Sequence, residues 1–202
     1  MAEPVVCDPA LLAGCKLGNV SSVMTVLAKS KEMVNTKSAT KQILPIQVAA
    51  GFTQPEVVKV LLENGANAQL QDACGLTAVH VAAAKENLEV LQLLLSDPKG
   101  KECANIADED GSTPLHHAAY VGLKANVEEL LKAGAQDIPD NNGKTAATEA
   151  MEKGFDEIAQ LIGAGTAAGD DETLSQAPDD AGEAAPNEEE QAPGDEDAAG
   201  TE

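Results

Sequence analysis

Apolar residues recur at helical spacing in four stretches of the chain. Each stretch places large aliphatic side chains three or four positions apart, the pattern of a helix with one buried face. The four sets are Val57, Val58, Leu61 and Leu62; Val90, Leu91, Leu94 and Leu95; Val127, Leu130 and Leu131; and Ile158, Leu161 and Ile162. Gly65 and Gly134 follow two of the sets, where glycine commonly ends a helix. The pattern therefore predicts four amphipathic helices.

A repeated polar motif and a shorter apolar segment precede three of these helices. The motif reads Asp-x-x-Gly-x-Thr and occurs at residues 72–77, 108–113 and 140–145. The aspartate can cap its own backbone and the glycine accepts a positive φ, so the motif predicts a tight turn. Thr113 then suits the N-cap of a helix, and Pro114 suits its first position. Ala118 and Ala119 keep one face of that helix small, which predicts close approach of a neighbour.

The motif recurs at a nearly constant interval along the chain. With the threonine position as reference, the five copies are anchored at Pro9, Leu44, Thr77, Thr113 and Thr145, in steps of 35, 33, 36 and 32 residues. A fixed period in this range indicates stacked structural units. The second copy is degraded, with Leu44 and Gln47 in place of threonine and histidine, so we expect an irregular loop at residues 36–42. An insertion at residues 96–103 is either a contact site or a tolerated loop.

The sequence around the fourth anchor carries a recognisable signature. Residues 113–118, Thr-Pro-Leu-His-His-Ala, match the T-P-L-H-x-A pattern in full, and residues 77–82 match it with two apolar replacements. The chain thus resembles the ankyrin-repeat family over about residues 8–165. The resemblance implies an all-α fold, an α-solenoid of stacked helix-turn-helix units with hairpin-like loops. It predicts a repeat domain over residues 1–168, with repeats at about 8–38, 39–71, 72–107, 108–139 and 140–165.

Acidic side chains are concentrated near the carboxyl end of the sequence. Residues 169–202 contain 13 of the 34 Asp and Glu residues and no lysine, in a chain of formal charge −21. Their one large apolar residue, Leu174, cannot offset the entropy of ordering, so we predict a disordered acidic tail. Such a tail either keeps the protein in solution or serves as an interaction arm. The negative charge also argues against direct nucleic-acid binding.

The sequence contains no motif for catalysis or for binding a metal or cofactor. His80 and His116 occupy the T-x-x-H position, where the resemblance implies a structural bridge between the threonine hydroxyl and neighbouring backbone. The four cysteines are sparse, and no apolar run approaches the roughly 20 residues of a membrane span. We therefore expect no enzyme activity, no cofactor, no metal and no membrane contact. We also expect a monomer in the cytoplasm, small enough to enter the nucleus as well.

The remaining candidate residues lie on the surface that the resemblance implies. Ankyrin repeats bind proteins through loop tips and through the concave face lined by their first helices. The corresponding loop-tip residues here are Ala73, Cys74, Leu76, Glu109, Asp110, Ser112, Asn141, Asn142 and Lys144. The corresponding first-helix residues are Phe52, Lys85, His117, Tyr120 and Val121. The rings of Phe52 and Tyr120 either anchor a partner or cover helix junctions.

These observations predict a non-catalytic protein-protein interaction module. Its acidic tail would favour a basic client, and in this the chain is similar to small ankyrin proteins with acidic tails that escort basic clients such as ribosomal proteins. The alternative is a regulatory adapter or inhibitor that docks on an enzyme or a signalling protein. In that case the tail would only keep the protein in solution.

Overall fold

The computed structural model describes residues 7–39 and 42–167. In these residues the chain forms eleven α-helices, two 3₁₀-helices (Lys31–Asn35 and Cys103–Asn105) and no β-strand. The α-helices are α1 (Pro9–Leu17), α2 (Val20–Lys29), α3 (Pro45–Gly51), α4 (Pro55–Glu63), α5 (Ala78–Ala83), α6 (Leu88–Ser96), α7 (Pro98–Glu102), α8 (Pro114–Val121), α9 (Lys124–Lys132), α10 (Ala146–Glu152) and α11 (Asp156–Ala167). The predicted disordered tail, residues 169–202, lies outside the described residues.

Ten of the helices form five consecutive pairs, which we number repeats 1 to 5. The first helices, α1, α3, α5, α8 and α10, contact one another in that order and form one layer. The second helices, α2, α4, α6, α9 and α11, form the other layer in the same order. Each helix therefore covers the apolar face of the next repeat, which confirms the predicted all-α solenoid.

The two layers are packed with side chains of different size. Between the first helices lie alanines with no exposed surface, including Ala49, Ala82 and Ala118. Their small side chains let the first helices approach closely. Larger aliphatic residues such as Leu61, Leu94 and Leu130 are fully buried on the second helices. The helices predicted from apolar spacing thus exist, and their apolar faces form one continuous core.

The Asp-x-x-Gly-x-Thr motifs form turns that stack on one another. In the fourth repeat, Asp108 Oδ1 accepts hydrogen bonds from the backbone N–H groups of Asp110 and Ser112, at 3.0 and 2.9 Å. Gly111 has a φ of +80°, and a Cβ on this residue would lie 2.7 Å from the backbone nitrogen of Asn141 in the next turn. Glycine is required here both for its φ and for the close approach of the next turn.

Histidine and glutamine side chains connect the repeats through one shared geometry. His116 Nδ1 accepts hydrogen bonds from the backbone N–H and the hydroxyl of Thr113, and its Nε2–H donates to the Lys144 carbonyl of the next repeat at 3.0 Å. His80 makes the same bonds to Thr77 and to the Ser112 carbonyl. This geometry confirms the structural bridge that the family resemblance implied for both histidines.

Gln47 makes the corresponding bridge in repeat 2. Its Oε1 accepts the backbone N–H of Leu44 at 2.8 Å, and its Nε2 donates to the Leu76 carbonyl of repeat 3. The departure from the family pattern therefore leaves the connection between repeats intact, because the amide supplies one acceptor and one donor as the neutral imidazole does.

The insertion at residues 96–103 forms the short helix α7, which is attached to the core through the buried Gly100 and Cys103. Asp97 caps it by accepting the backbone N–H groups of Lys99 and Gly100. Gly100 is buried, and a Cβ there would lie only 1.9 Å from the Leu94 carbonyl oxygen. Cys103 is buried as well, and its Sγ lies 3.4 Å from the Ala68 carbonyl oxygen. The inserted residues therefore form a capped helix held by specific contacts and not an open loop; both hypotheses, a contact site and a tolerated insertion, remain predictions.

Candidate protein-binding face

The structure places the predicted site residues on two edges of the first-helix layer. The loop-tip edge carries Ala73, Cys74, Leu76, Glu109, Asp110, Ser112, Asn141, Asn142 and Lys144. The carboxyl ends of the first helices carry Phe52, Lys85, Tyr120 and Val121, all exposed, while His117 lies within α8 between the two edges. Leu76 and Ser112 are half-buried, and their carbonyls accept the bridges from Gln47 and His80.

Three of the predicted residues come together in one groove between repeats 4 and 5. Ser112, His117 and Tyr120 line it with His116 and Glu149, and its volume is about 230 Å³. Glu149 was not among the predicted residues. It occupies the position after the T-x-x-H slot, as His117 does one repeat earlier, so the register of the repeat was the available signal. Phe52, Cys74 and Lys85 do not line this groove.

His117 is held in the groove by a carboxylate of the neighbouring turn. Its Nε2 lies 3.0 Å from Asp108 Oδ2, and only 5% of the Asp108 side chain is exposed. Burial alone would raise the pKa of Asp108. The hydrogen bonds from His117 and from two backbone N–H groups outweigh this effect, so the pKa lies below its ordinary value. Asp108 therefore remains ionised, and it fixes both the turn and the His117 ring.

Two aromatic side chains each carry a lysine ammonium over the ring. Lys153 Nζ lies 3.9 Å from the centroid of the Tyr120 ring, and Lys16 Nζ lies 5.0 Å from that of Phe52. Both distances are within the range of cation–π attraction. Tyr120 is 52% exposed and Phe52 is 47% exposed, so each keeps about half of its surface available to a partner.

The ends of the first helices also expose Leu17 and Met151, two apolar residues that the sequence did not single out. We call Leu17, Phe52, Tyr120, Val121 and Met151 the apolar rim, because all lie at or beside the carboxyl end of a first helix. Leu17 is 75% exposed and Met151 is 57% exposed. Lys85 occupies the corresponding place in repeat 3, so the rim is divided into two apolar stretches.

The loop tips are polar and mostly acidic around the groove. Glu109 and Asp110 are exposed, and the Asn141 amide donates to the Glu109 carbonyl at 3.0 Å. Lys144 Nζ lies 2.5 Å from Glu152 Oε2, an ion pair that raises the pKa of this lysine. Electrostatic attraction at this edge therefore favours positively charged groups.

The cysteines divide into one exposed and three buried side chains. Cys74 lies exposed at a loop tip, whereas Cys7, Cys15 and Cys103 are buried. Burial raises the pKa of Cys15 and of Cys103 to about 12, and that of Cys7 to about 11. These three buried thiols are therefore protonated near neutral pH and behave as small apolar residues.

A larger groove lies on the second-helix layer, away from the predicted face. It measures about 390 Å³ and is lined by Gln92, Leu95, Ser96, Lys101, Glu129, Lys132 and Ala133. Lys132 Nζ lies 2.8 Å from Glu129 Oε1 within it. Across the described residues, no group of three or more His, Cys, Asp or Glu side chains could hold a metal ion. None of the helices there is both long and apolar enough to cross a bilayer.

Comparison with known protein families identifies the family to which these stacked helix pairs belong. The family described as Ankyrin repeats (3 copies) matches the chain over residues 10–105, 46–138 and 99–170. The chain belongs to the ankyrin-repeat family. Ankyrin repeats in general mediate protein-protein interaction, so the groove and the apolar rim lie on a fold built for protein partners.

Several curated proteins share this repeat region. The chain is 41% identical over 91 residues to the human neurogenic locus notch homolog protein 4, and 37% identical over 102 residues to human Rabankyrin-5. These matches cover 45% and 50% of the chain but only 4% and 9% of the relatives. A probable 26S proteasome regulatory subunit p28 of Saccharomyces cerevisiae is 31% identical over 139 residues, or 68% of the chain and 60% of the relative. The chain therefore spans less than two thirds of each of these proteins.

Proposed function

We propose that this ankyrin-repeat chain binds a protein client through the apolar rim, the loop tips and the groove between repeats 4 and 5, and that it catalyses no reaction. One observation carries the proposal: apolar side chains are exposed near the carboxyl ends of the first helices of several repeats. The large exposed fractions of Leu17, Tyr120 and Met151 leave apolar surface in water, and a partner would remove it. Tyrosine is also among the residues that commonly dominate binding energy.

We further propose that the client is basic and that the chain escorts it in the manner of a chaperone. Glu109 and Asp110 at the loop tips are exposed, and residues 169–202 add 13 acidic residues without a lysine. Charge of one sign attracts opposite charge over distances of about 8–10 Å at physiological salt, which speeds the encounter. The apolar rim would then supply the short-range contacts.

The test compares protein capture by the full chain and by two variants. In one variant Tyr120 and Phe52 are changed to alanine, and in the other the 13 acidic residues of 169–202 become Asn or Gln. We expect the rim variant to lose the client at every salt concentration. The tail variant should bind it more slowly at low salt, because electrostatic steering is lost. The captured protein is identified by mass spectrometry, and its affinity is measured after purification.

A matched control separates the rim from exposed apolar surface in general. Met24 is 48% exposed but lies on α2, in the second-helix layer, so Met24→Ala should leave capture unchanged. Equal losses in the Met24 variant and the rim variant would contradict the proposed face. A client that is neutral or acidic would contradict the basic-client part of the proposal.

A second candidate function is a regulatory adapter or inhibitor that docks on an enzyme or a signalling protein. The observation that favours it is the apolar character of Leu17, Phe52, Val121 and Met151, none of which carries a charge. Binding that depends on these residues, is unaffected by salt and is unchanged in the neutral-tail variant would support this function over the basic-client proposal.

A further inference from the structure

The groove between repeats 4 and 5 is lined by an aromatic ring and a carboxylate, and a lysine ammonium of the same chain lies over that ring. We propose that it is a receptor site for one cationic side chain of the client, and that it prefers arginine to lysine. This inference rests on the proposed function, because it names the side chain that this part of the binding face recognises. Three features of the groove support it in turn.

The first feature is the Glu149 carboxylate, which lines the groove and is half-buried. Within residues 7–39 and 42–167, no hydrogen bond or ion pair reaches this carboxylate. The ammonium of Lys144 interacts with Glu149 electrostatically but lies in direct contact with Glu152, at 2.5 Å. A half-buried carboxylate gains most from a cation that approaches it directly, because little water is left to screen the pair.

The second feature is the ring of Tyr120, which already attracts a cation. The Lys153 ammonium lies 3.9 Å from the ring centroid and serves as an intramolecular stand-in for a ligand cation. Lys153 follows the last residue of α10, is exposed, and forms no ion pair with any described carboxylate. A ligand can therefore displace it at low cost, since few contacts hold it over the ring.

The third feature is the choice of hydrogen-bond acceptors, which favours a guanidinium over an ammonium. Ser112 and His117 line the groove together with Glu149. In the neutral form of the His117 imidazole, Nε2–H donates to Asp108 and Nδ1 can accept a hydrogen bond from a ligand. A guanidinium has five N–H donors in one plane and stacks flat on an aromatic ring, whereas an ammonium is a compact, strongly hydrated charge. The chain contains no arginine, so its own residues cannot supply this group.

The test is a titration of the isotopically labelled full chain with a capped glycine-arginine-glycine peptide, followed by NMR. The controls are peptides with lysine or with citrulline, which has nearly the shape of arginine but no charge. We expect saturable chemical-shift changes centred on Ser112, His117, Tyr120 and Glu149, at least threefold weaker binding of lysine, and no binding of citrulline. Equal shifts with citrulline, or shifts spread over all acidic turns, would overturn the proposal.

Two matched pairs of variants test the named residues. Glu149→Gln should weaken arginine binding at least fivefold, whereas Glu56→Gln, at an exposed acid on α4, should leave it unchanged. Lys153→Gln should strengthen binding at least twofold because it removes the competing cation. Lys59→Gln removes the same charge from an exposed position on α4, in the second-helix layer, and should have no such effect. If Glu149→Gln binds the arginine peptide with unchanged affinity, the proposed arginine site is wrong. If that variant still captures the client, the proposed function is not contradicted.

Discussion

Gln47, His80 and His116 perform the same structural task with two kinds of side chain. Each accepts a backbone N–H at the start of its own helix and donates to a carbonyl of the next repeat. The sequence pattern marked Gln47 as a departure from the family. The structure shows that the requirement at this position is one acceptor and one donor at the right separation, which an amide and a neutral imidazole both provide.

This equivalence predicts different outcomes for two substitutions of His116. His116→Ala leaves the buried Thr113 N–H without its acceptor and removes the bond to the Lys144 carbonyl, which keeps only the Asp140 N–H, at a cost of about 1–3 kcal/mol in the free energy of unfolding. His116→Gln should restore both bonds and lose less than half as much. Urea unfolding followed by circular dichroism measures both values. Equal losses would show that ring packing, and not the pair of hydrogen bonds, is what stabilises this position.

The buried imidazole of His80 makes stability depend on pH. Burial, reinforced by the nearby His117, lowers the pKa of His80 from 6.5 to about 4. Between these values the unfolded chain binds a proton that the folded chain does not, so stability is complete above pH 6.5 and declines as the pH falls toward 4. We expect a loss of about 2 kcal/mol between pH 7 and pH 5 from this residue alone.

The control for this pH dependence is His80→Gln, which keeps the bridge but cannot titrate. Its free energy of unfolding should change much less between pH 7 and pH 5 than that of the unsubstituted chain. Asp108 does not contribute to the change between pH 7 and pH 5. Its pKa lies below the ordinary value of 3.8 in the folded chain, so the stability that it contributes is lost only at more acidic pH. Parallel pH profiles for the two proteins would assign the dependence to other groups.

At the scale of the element, most of the first helices are followed by a residue with a positive φ, and the sequence indicates this only where the residue is glycine. Gly18, Gly122 and Gly154 follow α1, α8 and α10 with φ values of +72°, +84° and +81°. Repeat 2 has Thr53 in the corresponding position, and its φ is +53°. A β-branched residue in this region is strained, and here it directly follows Phe52 of the apolar rim.

Relief of this strain gives a prediction for repeat 2. Thr53→Gly should raise the free energy of unfolding by about 1 kcal/mol, because the left-handed conformation costs an L-residue roughly 1–2 kcal/mol and glycine almost nothing. The reverse change, Gly122→Ala, should destabilise the chain, since its Cβ would lie 2.5 Å from the Phe155 ring. Thermal and urea unfolding measure both variants. Destabilisation by Thr53→Gly would mean that the threonine side chain has a stabilising role outweighing its strain.

The insertion at residues 96–103 contains a helix, α7, that could not be predicted from the sequence. A proline, two lysines and a glycine at residues 98–101 read as a loop, and sequence alone left a contact site and a tolerated insertion open. The structure makes it α7, because Asp97 caps the helix and Gly100 fits against Leu94. The cap is local and visible in the sequence. The close contact between Gly100 and Leu94 is not visible in the sequence, because it depends on the position of the end of α6 in the folded chain.

At the scale of the whole molecule, the two leucines at positions 130 and 131 contribute differently to the stack. Apolar spacing placed both on the buried face of one helix. Leu130 has no exposed surface, whereas Leu131 is only partly buried and lies near Gly165 of α11. The tertiary packing of α9, and not the helical period alone, decides how deeply each leucine is buried.

This difference predicts the effect of cavity-forming substitutions on the whole array. Leu130→Ala should lower the free energy of unfolding by about 2–5 kcal/mol, and Leu131→Ala by clearly less. Because neighbouring repeats stabilise one another, the Leu130 variant should also weaken the coupling between repeats and broaden the urea transition. Hydrogen exchange can locate the region that opens first. Similar losses in the two variants would contradict the packing described for α9.

The sequence by itself determined the units of this protein: turns, N-caps, helical faces, bridging histidines and the repeat period, and through them the ankyrin-repeat family. These features arise from interactions between residues that are close along the chain, so they leave a local pattern. Tertiary structure decided the groove, because stacking brings Ser112 and Glu149 of different repeats to one place and sets Lys153 over Tyr120. No local pattern encodes such pairs, since they depend on how one repeat is rotated and translated against the next.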